Sequence, residues 1–351
     1  MSGVGKLQKK FKWFCKHILY FLLFYSRLLH LLISFLKGTK HNHSAVILFY
    51  HRFCEASKEN KLLPSLDIKE FRKQILHLKR FYKFISMDDL EGIVSKGQYF
   101  KAPSIVVTID DGYLDNYIFA YPILRQHGIP AMIYLTVGLI GTDNGVWVDD
   151  LEIALTHARV QSFCLEELFG TAVVDISTYR GKKNLEEILF SRMLRLGNKE
   201  REDLVQKLFD ILKVDRSVIE NRPRVMLNWD EVSEMAGSEI SFGAHTLSHP
   251  YLPALPSAVA KHEIKNSKEM IENHLGRAVK HFAIPNGKPD DFTSELRQFC
   301  ESIGFDTIVT TESGRVDSTS NRYSLQRALP PPPLYYFACE IAKYFFLSRR
   351  G

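Results

Sequence analysis

Residues 45–330 read as a parallel α/β architecture, on three observations. Short runs rich in β-branched and aromatic residues alternate with helical stretches; seven of these runs are nearly continuous in apolar residues; and the polar residues able to do chemistry cluster where the runs end. Near-continuous apolar strands are buried on both faces, as in a sheet covered by helices. Seven such strands fit a barrel or a doubly wound sheet, and pattern alone does not choose.

The expected strands are 45–50 (AVILFY), 104–110 (SIVVTID), 131–136 (AMIYLT), 239–245 (EISFGAH), 281–285 (HFAIP), 307–311 (TIVTT) and 324–329 (SLQRAL). Helical spacing predicts helices over about 67–96, 114–127, 228–237, 257–275 and 290–303. The fourth is bounded best, with Pro256 and Ser257 opening it and Gly276 after Leu275 where a left-handed cap belongs. Residues 140–227 interrupt the alternation and read as a mostly helical insertion (149–158, 184–194, 200–212) with a charged run at 179–183 and Trp147 near its start. Pro330–Pro333 closes a catalytic region of 41–333, and 334–351 is an aromatic amphipathic helix ending in Arg349-Arg350, expected to cover the barrel or join the N-terminal helix.

The net charge of +6 conceals two unlike parts. Residues 1–40 contain eight Lys/Arg and no acid, whereas the remainder holds 38 basic against 40 acidic residues. The main body therefore gives no electrostatic reason to expect nucleic acid. Five scattered cysteines with no C-x-x-C pair argue against a zinc ribbon or a disulfide-stapled scaffold. From Phe11 to Leu36 the chain is dominated by aromatic and aliphatic residues, yet Arg27 and His30 would fall near the centre of a spanning helix, where an Arg costs roughly 2.5–3.5 kcal/mol. Lys16, Tyr20, Arg27, His30, Ser34 and Lys37 form a polar stripe at helical spacing. The expectation is a membrane-associated chain, anchored by an interfacial helix with its lysines on anionic headgroups. A helix packed on the protein's own core is the competing reading, and a single span the other.

Five polar features lie at strand ends: His51 after the first, Asp110-Asp111-Gly112 after the second, His245-Thr246-Leu247-Ser248-His249 after the fourth, Pro285-Asn286-Gly287 after the fifth and Arg327 in the seventh. The carboxyl ends of parallel strands form the functional face of such folds. Adjacent carboxylates repel and need a cation or hydrogen-bond donors. Histidines at i and i+4 can converge on one ion, and with a carboxylate they leave coordination positions open, as a catalytic metal centre requires.

The ordered set Thr108-Ile109-Asp110-Asp111-Gly112, His245-Thr246-x-x-His249 and Phe282-Ala283-Ile284-Pro285-Asn286-Gly287, with Phe49-Tyr50-His51-Arg52 before it, resembles the polysaccharide deacetylase family (carbohydrate esterase family 4, the NodB-homology domain), in particular its exopolysaccharide-type members. The resemblance covers about residues 45–330 and implies a distorted (β/α)7 barrel, here with a helical insertion and an N-terminal amphipathic helix. It implies a hydrolase that removes acetyl groups from N-acetylated sugars of a polysaccharide or lipid-linked glycan. By the same resemblance Asp110 is the general base, and Asp111, His245 and His249 hold a divalent ion, with Zn favoured over Co, Ni or Fe. A backbone N–H around Pro285, Asn286 and Gly287 would meet the oxyanion.

Two departures stand out. Many members carry an Arg-x-Pro-Tyr motif whose Arg steadies the base; here the aligned positions are Ala283, Pro285 and Asn286, and Arg327 is the expected substitute. The late Leu-x-His motif that supplies the acid is missing, which leaves His51 as the expected acid. An O-acetyl esterase or deformylase on the same scaffold, and an inactive glycan-binding member, are the alternative readings; oligomeric state is not legible.

Overall fold

The computed structural model describes residues 3–37, 43–55, 62–164, 166, 170, 173–288 and 291–346. Arg349 and Arg350, Lys40 and the expected helix start at 290 lie outside them. Seven parallel strands carry the fold: β1 (Ala45–Tyr50), β2 (Ser104–Ile109), β3 (Ala131–Leu135), β4 (Ile240–Ala244), β5 (His281–Ala283), β6 (Thr307–Ser313) and β7 (Leu325–Ala328). The order β1-β7-β6-β5-β4-β3-β2 returns to β1, because β1 pairs with β2 over its whole length, Ala45 beside Ser104 through Tyr50 beside Ile109. The sheet is thus a closed barrel, the choice pattern could not make. A two-residue strand at Lys83–Phe84 adds to the free half of β2's other edge.

The strand period of two sorts the side chains. Ala45, Ile47, Val106, Met132 and Tyr134 form an interior cluster, while Val46, Leu48, Ile105, Val107 and Ile133 join the larger core under the outer helices. The N-terminal mouth is closed by α4 (Met87–Ser95), whose Met87, Leu90 and Val94 belong to the interior cluster. The helix expected over 67–96 is in fact two. After α3 (Ile68–Phe81) the chain extends at Tyr82, pairs briefly with β2, and restarts at Ser86, whose side chain forms a capping box with Asp89. Apolar spacing runs through the break and hides it; the Ser86-x-x-Asp89 cap is the signal that marks it.

The next outer elements are α5 (Tyr121–His127), entered through a π-turn at Asn116–Ala120, and then the insertion. The insertion holds α6 (Trp147–Thr156), α7 (Tyr179–Met193) and α8 (Asn198–Ile211) around a core of its own, with Leu155, Leu189, Leu208 and Phe209 buried. It also contains an antiparallel hairpin, Ser162–Cys164 with Val173–Asp175, which helical spacing did not anticipate. The barrel resumes with α9 (Trp229–Ala236) and with α10 (Ser257–Leu275), which ends at Gly276 in the left-handed conformation as expected. Last come α11 (Ser294–Ser302) and α12 (Leu334–Phe346).

The N-terminal segment is two helices, α1 (Gly3–Tyr25) and α2 (Leu28–Lys37), bent by 72° across Ser26 and Arg27, where Arg27 has φ 61°. No single helix among the described residues is long and apolar enough to cross a membrane. The expected polar stripe does not face outward as one unit. Lys16 and Tyr20 both bond Glu340 of α12 (2.8 and 2.7 Å), His17 bonds the Tyr335 hydroxyl, and His30 stacks on Phe81. Arg27 and Ser34 stay exposed. For Lys16, Tyr20 and His30 the competing reading, packing on the protein itself, is correct: Lys16 and Tyr20 find polar partners on α12, and the His30 ring packs against Phe81 of α3.

The α2–α3 seam buries His77 among His30, Phe24 and Phe81, with its Nε2 lacking a hydrogen-bond partner. Burial, helped by His30 and Arg80, pushes its pKa down to about 4 from 6.5. Above pH 6.5 the ring is neutral in folded and unfolded chains, so no stability is lost there. As pH falls from 6.5 to 4 only the unfolded chain takes the proton, which removes up to on the order of 3 kcal/mol of stability. We predict that His77→Phe flattens this part of the urea-unfolding profile relative to wild type; parallel pH profiles for the two proteins would contradict the assignment.

Candidate active site

Asp110 follows β2 with the parity of Val106 and Thr108, so its carboxylate points into the barrel mouth. There it meets Arg327 of β7, whose Nη1 and Nη2 each donate to one carboxylate oxygen at 2.7 Å. The guanidinium is fully buried, donates further to the Thr310 carbonyl and the Thr108 hydroxyl, and lies 4.6 Å from the centre of the Phe49 ring of β1. Burial would raise the Asp110 pKa, but Arg327 outweighs it and holds the carboxyl below its usual range. The His51 Nε2 lies 3.8 Å from Asp110 Oδ2, with the side chain 40% exposed.

At Asp111 the backbone turns into the left-handed region (φ 76°), which brings the second carboxylate over the mouth instead of out into the wall. Its Oδ1 is buried without a hydrogen-bond donor, and the Nε2 atoms of His245 and His249 each lie 3.5 Å from it. The Nδ1 of His245 lies 2.7 Å from the Ala283 carbonyl, which selects the tautomer with Nε2 bare and aimed at Asp111. Burial pushes His249 down to about 4, so it is neutral at pH 7, as a ligand must be. Asp111 itself is held well below the carboxylate range, because His245 and His249 outweigh its burial. One ligand atom from each of the three residues lies within 4.8 Å of the others. A buried Asp111 acceptor facing one imidazole nitrogen from each of His245 and His249 fits a divalent ion.

The loop that carries both histidines is strained, with Thr246 at φ 67° and His249 at φ 55°. Glu263 of α10 holds it by accepting from Leu247 N, Ser248 N and Ser248 Oγ at 2.7–3.0 Å. From the insertion, Asn198 bonds Ser248 Oγ at 2.8 Å and Arg201 reaches the His249 carbonyl at 3.5 Å. Glu263, Asn198 and Arg201 were missed by sequence reasoning, and nothing local marks them, since each acts across a long chain separation. A second missed group is the cluster behind His51. Arg52 bonds Asp115 and Asp149 (3.1 and 2.7 Å) and lies 4.2 Å from the Tyr113 ring centre, and Asn116 donates to the His51 carbonyl. Burial pushes the Asp149 carboxyl up to about 6 despite Arg52.

Of the three expected oxyanion residues, Pro285 has no N–H, and the Gly287 N–H is spent on the Pro285 carbonyl at 2.8 Å. Asn286, at φ 64° and lining the cavity, is the member that remains. The cavity measures about 300 Å³ and brings His51, Asp110, Asp111, His245 and His249 together under a wall of Trp147 and Phe190. Those two rings stack at 5.5 Å, so the insertion does wall the cleft.

We predict that Arg327→Met, which strands a buried carboxylate, costs about 3–5 kcal/mol of stability. Adding Asp110→Asn should restore most of that loss in urea unfolding. A single-variant loss below about 1 kcal/mol would mean that the pair is not the clamp described.

Residues 201–308 match the family model for polysaccharide deacetylase, a span that includes His245, His249 and Pro285–Gly287. YxkH, a candidate polysaccharide deacetylase of Bacillus subtilis (strain 168), is 22% identical over 235 residues, 66% of this chain and 54% of its own, so the chain spans about half the length of that curated relative. Among solved structures, the Streptococcus pyogenes deacetylase PplD, in complex with acetate, superposes with a TM-score of 0.58 at 18% identity, covering 87% of this chain and 99% of its own. IcaB from Ammonifex degensii gives 0.56 at 17%, covering 86% and 98%. At these identities the likeness is one of fold. Over residues 201–308 the chain is similar to polysaccharide deacetylases, and its barrel shares the fold of PplD and IcaB.

Proposed function

We propose that this chain is a metal-dependent hydrolase that removes acetyl groups from N-acetylated sugars of a polysaccharide or lipid-linked glycan. The observation that carries the reading is the unpartnered Asp111 Oδ1 facing two imidazole nitrogens beside a separately neutralised Asp110. Asp111, His245 and His249 would hold the divalent ion; two histidines and one carboxylate suit Zn, with Co, Ni or Fe also compatible. When bound, such an ion supplies Lewis acidity that makes water reactive near neutral pH and stabilises charge on an acyl oxygen.

The chain's own residues do the rest. Asp110, kept ionised by Arg327, accepts a proton from the attacking water. Arg327 also fixes the carboxylate's plane, so that its free lone pairs face the cavity. His51, partly exposed and next to Asp110, donates a proton to the departing amine. The Asn286 N–H meets the developing oxyanion, a role that its position in the cavity lining supports. Trp147 and Phe190 present aromatic faces that suit the apolar C–H face of a pyranose ring and keep bulk water off the reacting bond.

The test is acetate release, with detection of the free amine, from chitooligosaccharides and a lipid-linked N-acetylhexosamine. Wild type should turn over and lose activity on chelation, and Asp110→Asn should fall by at least about a hundredfold while keeping its metal. Release of acetate or formate without a free amine would favour an O-acetyl esterase or deformylase. Stoichiometric metal with no hydrolysis of any substrate would favour a glycan-binding protein.

A further inference from the structure

The outward surface of α1 and α2 is the largest feature that the proposed chemistry leaves unused. On α1, Phe11, Phe14, Ile18, Phe21, Leu22 and Tyr25 recur at three- and four-residue spacing and are 44–67% exposed. On α2, Leu28, Leu31, Leu32 and Phe35 do the same, Phe35 at 76%. Single exposed apolar side chains are ordinary, but a continuous face along two helices marks an interaction site. The opposite faces are already committed. Lys16, His17 and Tyr20 bond α12, and Leu29 and Ile33 are buried in the main core at 4% and 1% exposure.

Charge identifies the occupant. Residues 1–40 carry eight Lys/Arg and no Asp or Glu. A second copy would set this basic segment against itself, whereas a bilayer with anionic headgroups complements it. Spanning is disfavoured on geometry. The apolar stretch reaches spanning length only by joining both helices across a 72° bend, and one side of each helix is bonded to protein and closed to lipid. Lys12 and Arg27 of the same segment remain exposed and available to anionic headgroups.

We propose that the apolar faces of α1 and α2 seat the protein on the surface of an anionic lipid bilayer, in the plane of the interface, while α12 fastens the pair to the barrel. The orientation is the reverse of a lysine stripe reaching for headgroups: Lys16 and Tyr20 hold the helix to the protein, and the greasy side enters the lipid.

Vesicle flotation of the full-length chain tests this without reference to activity, using phosphatidylcholine vesicles with and without phosphatidylglycerol. Wild type should float with the anionic vesicles, less at high salt and less on phosphatidylcholine alone. The outward triple variant Phe14→Glu/Leu22→Glu/Leu31→Glu should bind at least roughly tenfold more weakly. Its unfolding midpoint and metal content should match wild type, because these three side chains are more than half exposed. Lys12→Glu, which leaves the apolar face intact, should weaken binding to anionic vesicles alone. The proposal is overturned if wild type fails to float with anionic vesicles, or if the triple variant floats as well as wild type. It is also overturned if sedimentation velocity shows a dimer that the triple variant converts to monomer, which would make a second copy the occupant.

Discussion

Two carboxylates side by side at the end of one buried strand are the constraint on which this molecule turns. Asp110 and Asp111 are only 1% and 6% exposed, and neither can stay ionised there without a counter-charge. Barrel closure supplies the first. Because β1 pairs with both β2 and β7, Arg327 can reach from β7 across β1, over the Phe49 ring, to Asp110 on β2. The reach calls for a long side chain and the two parallel hydrogen bonds call for a planar fork, so Arg suits the position and Lys does not. The second counter-charge is what the His245 and His249 imidazoles are arranged around.

That division gives two neighbouring carboxyl groups different work. Asp110 is oriented and charge-balanced by protein, free to exchange a proton. Asp111 has an acceptor that no protein donor satisfies, as a metal ligand needs. The arrangement is costly locally. Asp111, Thr246, His249 and Asn286, four of the six non-glycine residues with positive φ among the described residues, lie at this one mouth. Glu263, Asn198 and Arg201 hold the histidine loop in place, and the last two come from the insertion, so that segment supports the site as well as walling it.

The sequence made much of this legible because the barrel strands are short apolar runs whose ends coincide with reactive residues. Strand β1 is found at its expected bounds, and α10 likewise, since Pro256 and Gly276 are unambiguous local signals. What escaped was set by distant contacts. The break at residues 82–86 depends on Lys83–Phe84 finding β2, and apolar spacing continues across it. The polar stripe of α1 was visible, but whether it faces headgroups or Glu340 is decided by a helix more than 300 positions away. Glu263 reads as one more acid on a charged helix until the fold brings it beneath the loop at 247–248. Arg327 was singled out by elimination, and its fork onto Asp110 became visible only once the barrel was closed.

The central claim is that Asp111, His245 and His249 hold one divalent ion while Asp110 remains on Arg327. Anomalous diffraction from crystals soaked in Zn tests it most directly. The account predicts one strong peak at about 2.0–2.2 Å from Asp111 Oδ1 and both imidazole Nε2 atoms, with the Asp110–Arg327 pair unmoved. A peak coordinated by Asp110, or none at this mouth at saturating Zn, would contradict it.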